Sequence, residues 1–206
     1  MSYFTLKKIG TDEFVEKKSR FIGWAKPVST EEQALAFLEE VHAKYPDASH
    51  GAYAYSLREG QTRRYSDAGE PQGTAGVPIL EVLTKPGIVD AVVVVTRYFG
   101  GILLGGGGLI RAYGHGASIA VANAGIATMV PCQTLELQFD YALYGKISYL
   151  LPDLKIQTVS SDFGEQVTLV VKMRSERTQA FARQLRELTA GTLVPKLLKE
   201  EFDDMD

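Results

Sequence analysis

Along the last third of the chain, apolar and polar positions alternate, shift to a helical rhythm, and then repeat that sequence. Leu135 to Phe139 alternates and predicts a strand. Tyr141 to Leu151 carries the helical period and is stopped by Pro152. Lys155 to Ser161 alternates again, Phe163-Gly164-Glu165 forms a turn, and Gln166 to Met173 is another strand. Ser175 to Thr189 is amphipathic, with Phe181, Leu185 and Leu188 on one face and Gly191 just past its end, where a C-cap glycine belongs. Thr192 to Leu198 closes with a strand. The order is β-α-β-β-α-β, the ferredoxin-like pattern. That fold hosts many functions and assigns none alone.

The earlier residues also read as α+β. Thr5 to Phe21 holds two or three strand-like runs broken at Gly10-Thr11-Asp12. Thr30-Glu31-Glu32-Gln33 opens a helix to about Tyr45, with Thr30 as N-cap and Gln33 at the capping-box position, and Pro46 ends it. Ser49 to Leu57 predicts a strand and Ile79 to Lys85 a short helix. Between them, Arg58 to Pro78 is a long polar segment, of the kind that is functional or mobile in compact domains. Val89 to Thr96 is apolar throughout after Asp90, the mark of a strand buried on both faces. A further helix is expected from about Leu109 to Asn123.

A length of 206 residues allows one large domain or two small ones. Of the 20 glycines, 17 precede residue 135, so the two parts differ in backbone demands. The boundary is expected near Val130-Pro131-Cys132-Gln133-Thr134, giving an α+β domain over 1–134 and a ferredoxin-like one, with an acidic tail, over 135–206. Apolar residues at 45% and charged residues at 23% exclude a disordered chain.

The net charge of −3 argues against a strongly basic nucleic-acid binder. The tail from Glu200 to Asp206 carries five of the acids, however, and residues 1–199 hold 22 bases against 20 acids, which leaves room for a local basic face. Cys132 is alone, which excludes an intramolecular disulfide and a Cys-based zinc site, and it reads as an inert small hydrophobe in a linker. No metal or cofactor is signalled. The N-terminus lacks a signal-peptide apolar region, and Ala91 to Val95 is too short to span a bilayer, so a cytoplasmic protein away from membranes is expected.

Two stretches carry candidate chemistry. The first, Arg64 to Gly76, packs turn formers around two carboxylates and an arginine. Asp67 and Glu70 can pair with nearby arginines, bind a metal with Ser66, or serve as general acid and base. Asp67 and Ser66 can equally hydrogen-bond their own turn backbone. The second stretch, Thr96 to Tyr113, runs a buried strand into the glycines Gly105, Gly106, Gly107 and Gly108 and then into a helix. A helix start favours anions, and Arg111, in the first turn, and Arg97, at the strand end, can clamp a phosphate. The stretch is neither a P-loop nor a dinucleotide fingerprint, and its glycines serve equally to let loop and helix pack tightly. Arg58, Arg63 and Arg64 lie within seven residues of polar loop and are expected to face solvent. With Tyr53, Tyr55, Tyr65, Tyr98 and Phe99 they suit stacking on unpaired bases, although core packing explains most of those rings as well. His115, one turn after Arg111, reads as a hydrogen-bonded core histidine.

Arg64-x-Ser66-Asp67-x-Gly69-Glu70-Pro71-x-Gly73-Thr74-Ala75-Gly76 and Arg97-Tyr98-Phe99-Gly100-Gly101-x-x-Leu104-Gly105-x-Gly107-Gly108-Leu109-x-Arg111-Ala112-Tyr113 closely resemble the two signatures of the IMPACT family, in order. The resemblance covers both halves of the chain, as in bacterial members. It implies an N-terminal fold like a small-subunit ribosomal protein domain, domain IV of elongation factor G and the ribonuclease PH core. It implies a C-terminal domain like the ferredoxin-like domains of elongation factor G. These relatives contact RNA or the ribosome. Eukaryotic members regulate translation through protein–protein contact with a partner of the stress kinase acting on initiation factor two, and no enzymatic activity is established for the family. Their extra N-terminal partner-binding domain is expected to be absent here. Ala68 stands for a second Asp of the family pattern, Gln72 for Ser, and Leu103 where Lys is common. These departures remove a carboxylate from a two-carboxylate metal site and a cation from the glycine loop.

The leading expectation is a non-enzymatic, translation-associated regulatory protein that binds RNA or the ribosome, or a protein of the translation machinery. Binding is expected to be modest and salt-sensitive. Arg64, Arg97 and Arg111 are the first contacts, with Arg58, Arg63 and the glycines Gly105 to Gly108 beside them, while Asp67 and Glu70 keep no assigned role. One alternative is an enzyme acting on a phosphorylated small molecule or RNA, with Asp67 or Glu70 as acid–base or magnesium group. The other is a protein-interaction module docking through the Ser66–Gly76 loop.

Overall fold

The computed structural model describes residues 2–205. The chain divides into two compact units, one spanning Tyr3–Ala127 and the other running from Thr128 onward. Both are mixed α/β, with strands β1 (Tyr3–Leu6), β2 (Gly10–Glu16), β3 (Ser19–Pro27), β4 (His50–Ser56), β5 (Arg63–Ser66) and β6 (Ala91–Tyr98) and helices α1 (Glu31–Lys44), α2 (Gly76–Thr84) and α3 (Gly106–Ala124) in the first. Strand β7 (Ile126–Phe139) leads into the second, which holds α4 (Tyr141–Asp153), β8 (Gln157–Phe163), β9 (Val167–Arg174), α5 (Thr178–Leu188) and β10 (Lys196–Asp204). Among the described residues no helix is long and apolar enough to cross a membrane.

The first unit is built around an antiparallel sheet in the order β2-β3-β6-β4-β5. Strand β6 is central and covered on both faces, which is why it reads as an unbroken apolar run. Val92 and Val94 face Phe37, Leu38 and Val41 of α1, while Val93 and Val95 face α2 and α3. Each buried valine contributes roughly 1.5–3 kcal/mol. The expected cap of α1 is present: Gln33 N donates to Thr30 Oγ1 at 3.3 Å, and Ser29 N donates to Gln33 Oε1 at 2.8 Å. Helix α3 lays a small-sided stripe, Ala112, Gly116, Ala117, Ala120 and Ala124, on the sheet. A Cβ on Gly23 would collide with Gly116 O, so glycine is what permits this approach.

Three elements differ from the hydrophobic pattern, each for a physical reason. Gly10, read as a break, lies inside β2, because its bare α-carbon packs on the backbone of Ala124. The polar Arg58–Pro78 segment contains β5, an exposed edge strand with no apolar alternation to announce it, and the first turn of α2. Helix α3 begins at Gly106 rather than Leu109, since three poor helix formers make its first turn.

In the second unit the antiparallel order is β8-β9-β7-β10. The core is Leu135, Leu137, Phe139, Val167, Leu169, Val171 and Met173 from the sheet against Ile147 and Leu151 of α4 and Phe181 and Leu185 of α5. Val130 to Thr134, expected as a linker, are strand residues of β7, and Cys132 is buried there with its thiol pKa raised by that burial. The acidic tail is likewise strand. Glu200 to Asp204 pair with Gln133 to Met129, and Lys172 Nζ donates to Glu201 Oε1 at 2.9 Å and to Asp203 Oδ2. Bonds from Lys199 and Lys172 hold the Glu201 carboxyl down at about 2.

Candidate functional site

The turn after β5 is organised by Asp67. Its Oδ1 accepts from Ala75 N at 3.0 Å and Gly76 N at 2.8 Å, and its Oδ2 accepts from Gly73 N at 2.9 Å. The side chain closes the loop and caps the start of α2. Burial pushes its pKa up, but the bonds from Gly73, Gly76 and Ala75 outweigh it and hold the carboxyl below the usual range. Ser66 Oγ accepts from Ala68 N at 3.2 Å, a turn bond of the same kind. Of the roles open to Asp67 and Ser66, backbone bonding is the one observed. Among the described residues no group of three or more His, Cys, Asp or Glu side chains could hold a metal ion.

Glu70, three residues on, turns inward. Its Oε1 accepts from Arg97 Nη1 at 2.6 Å and from Tyr113 Oη at 2.7 Å. His50 Nε2 is 3.9 Å from the same oxygen, while His50 Nδ1 lies 2.9 Å from Ala68 O. Arg97 Nη2 donates to Ser19 Oγ at 3.3 Å, and the guanidinium carbon lies 5.5 Å from the Phe21 ring centre. Burial, then the bond to Glu70, raises the Tyr113 pKa. Arg97 was expected to clamp a phosphate with Arg111. Instead it is 4% exposed and its charge is taken up by Glu70, so it joins the two motifs from within.

At the surface the second motif has a different character. Gly105 caps α3 at φ 72°, a left-handed conformation that favours glycine. Gly106 and Gly107 are exposed and helical, yet a Cβ on Gly106 would meet only Thr74 Cγ2 at 3.9 Å, and one on Gly107 nothing within 4 Å. Neither packing nor backbone conformation calls for glycine there. Gly108 is tighter, with Leu104 Cβ 3.0 Å from such an atom. From Ala91 to Leu135 the sequence has no carboxylate, and its charged residues are Arg97 and Arg111. With Arg97 neutralised, Arg111 is the unopposed charge. It is exposed, sits in the second turn of α3 rather than the first, and makes no ion pair among the described residues.

Arg111 lines a groove of about 310 Å³ with Phe14, Glu16, Lys17, Leu104, Gly108, Ala112 and His115. His115, expected in the core, is exposed, with its ring edge-on to Phe14 at 4.6 Å. Lys17 and Lys18 form the β2–β3 turn at φ 45° and 64°. Gly100 packs its bare α-carbon on the Lys18 backbone, which accounts for that motif glycine.

The remaining arginines divide. Arg63 and Arg64 are exposed on edge strand β5, and Arg64 Nη1 donates to the Arg63 carbonyl at 3.2 Å. Arg58 is held by Asp90, its Nε 3.3 Å from Oδ2. The aromatic set splits: Tyr53 and Tyr55 stack with ring centres 6.3 Å apart, Tyr55 is buried and donates to Glu31, Tyr98 donates to Asp47, and Tyr65 and Phe99 remain exposed. The sequence reading missed Lys17 and Phe14. Lys17-Lys18 between two strand-like runs was the available signal for a turn.

The Impact N-terminal domain matches residues 17–121, and a domain of unknown function (DUF1949) matches residues 137–192. The IMPACT family member YvyE of Bacillus subtilis (strain 168) is 40% identical over 92% of this chain and 88% of its own. The IMPACT family member YigZ of Escherichia coli (strain K12) is 37% identical over 86% of this chain and 88% of its own. A solved structure titled as that of a hypothetical protein is 34% identical, with a TM-score of 0.61, over 97% of this chain and 98% of that one.

Proposed function

The chain belongs to the IMPACT family, and from that premise we propose that it is a translation-associated, cytoplasmic binding protein whose N-terminal unit holds RNA, free or in the ribosome, at the start of α3. The observation that carries this reading is the bare backbone of Gly106 and Gly107 one turn before Arg111, which makes no ion pair among the described residues. Exposed N–H groups at a helix start attract anions, and a missing Cβ lets a phosphate approach. Arg63 and Arg64, exposed on edge strand β5, are further cations of the same unit. The unit holds 13 acids and 13 bases, so phosphate contacts are few and binding is salt-sensitive.

Asp67 and Glu70 are engaged in structural bonds, which favours binding over catalysis. The strand order β8-β9-β7-β10, with α4 and α5 against one core, supports reading the second unit as ferredoxin-like. We read the first as the type shared with a ribosomal-protein domain and domain IV of elongation factor G.

The test is sedimentation of the tagged protein from lysate through sucrose, in low and high salt, with and without nuclease. Co-migration with ribosomal subunits, lost in high salt and in an Arg63→Ala, Arg64→Ala, Arg111→Ala variant, is expected. Protein at the top of every gradient would overturn the reading.

A second reading has its own observation. Phe99, Ile102 and Leu103 are exposed on the loop before α3, Leu103 at 81%, and an apolar loop of this kind suits a protein partner. Retention of one specific protein after complete nuclease digestion would favour it.

A further inference from the structure

We infer that the groove between the β2–β3 turn and α3 takes a single unpaired nucleotide, with Lys17 and Arg111 on its phosphate and the Phe14–His115 pair against its base. This deepens the RNA reading and rests on it.

The groove combines two features that a phosphate-only surface does not need. Lys17 and Arg111 line one cavity from different elements, and neither makes an ion pair among the described residues. Beside them is an aromatic pair, Phe14 and His115, at 4.6 Å and 73°. Phe14 is held by stacking on Phe21 at 5.1 Å, so the pair has a fixed base. Cations with aromatic rings are the means by which single strands are bound, because every base has a π-face. A volume of about 310 Å³ is at the small end of ligand pockets and suits one nucleotide. A base inside a duplex is stacked and paired and cannot enter such a cavity without leaving the helix.

The lysine is placed at a conformational cost. Two-residue hairpin turns with positive φ favour Asn-Gly or Gly, and here both positions are lysine. Glu16 is the one carboxylate among the lining residues, and it opposes a phosphate.

The shared chemistry is a nucleotide phosphate with its base, whether in a strand or free. Fluorescence anisotropy on the full chain would use three labelled probes: an unstructured oligoribonucleotide of about ten residues, the same sequence as a duplex, and a free nucleoside 5′-monophosphate. Single strand should bind in preference to duplex. Lys17→Gln and Arg111→Gln should each weaken binding about tenfold and lower the salt slope by about one. His115→Ala should cost fivefold or more, and His115→Phe should restore most of it. Glu16→Gln should tighten binding. If single strand and duplex bind equally and these variants behave as the parent, the pocket is refuted while RNA binding stands. Binding of the free nucleotide alone, with the same variant losses, keeps the pocket and refutes the RNA reading. No binding of any of the three probes refutes both.

Discussion

Glu70 and Arg97, 27 residues apart in sequence, meet inside the N-terminal unit with 2.6 Å between Oε1 and Nη1. Each belongs to a different motif, and each has the chemistry of a surface functional group. Their burial turns both into fold-determining residues, with Tyr113, Ser19 and His50 gathered around them. A buried ion pair loses hydration on both sides, so its net contribution to stability is small. What it does strongly is forbid the loss of one partner.

Glu70→Ala should therefore destabilise the protein by about 3–5 kcal/mol, because it leaves the Arg97 guanidinium buried and unpaired. The double variant Glu70→Ala, Arg97→Met should lose clearly less than the sum of the two single changes. Urea unfolding of the four proteins gives the cycle. Additive losses would mean that the two groups do not depend on one another.

Asp67 gives a pH dependence. Its folded-state pKa lies below the ordinary carboxylate value, held there by three backbone N–H groups against the opposing effect of burial. A depressed pKa means that the stabilisation is complete above the unfolded value, about 3.9, and is lost as pH falls through the folded one. Asp67→Asn should cost about 1 kcal/mol at neutral pH and make the stability less sensitive to acidification through the folded-state pKa. Thermal melts of both proteins between neutral and acid pH measure it; parallel curves would show that the carboxylate carries no such linkage.

What was legible in the sequence was whatever hydrophobic burial and local capping dictate. The apolar run of β6, the Thr30 cap and the alternation of β7 and β9 all express contacts made within an element or by one face of it, whereas β8 is exposed along its whole length despite its alternating sequence. Strand β5 escaped because an exposed edge strand buries almost nothing. The strand character of Glu200 to Asp204 escaped because Lys172, on β9, is what offsets its charge. Arg97 and His115 were misplaced in opposite directions for the same reason. Whether a polar side chain is buried depends on partners that only the tertiary fold supplies, here Glu70 for Arg97 and Phe14 for His115.

Gly106 and Gly107 set stability against binding. Both have helical backbone, and neither has a neighbour that an added methyl would strike. Alanine at such positions reduces the conformational freedom of the unfolded chain and stabilises by about 0.4–1 kcal/mol each. The Gly106→Ala, Gly107→Ala variant should thus melt a few degrees higher, at about 2–4 °C per kcal/mol for a chain of this size. If the first turn of α3 receives a phosphate, the same methyl groups stand where its oxygens approach, and RNA affinity should fall while the fold gains. Calorimetry and anisotropy on one preparation read both quantities. A variant that melts higher and binds RNA as the parent does would remove the phosphate from these two residues and leave it to Arg111 and the arginines of β5.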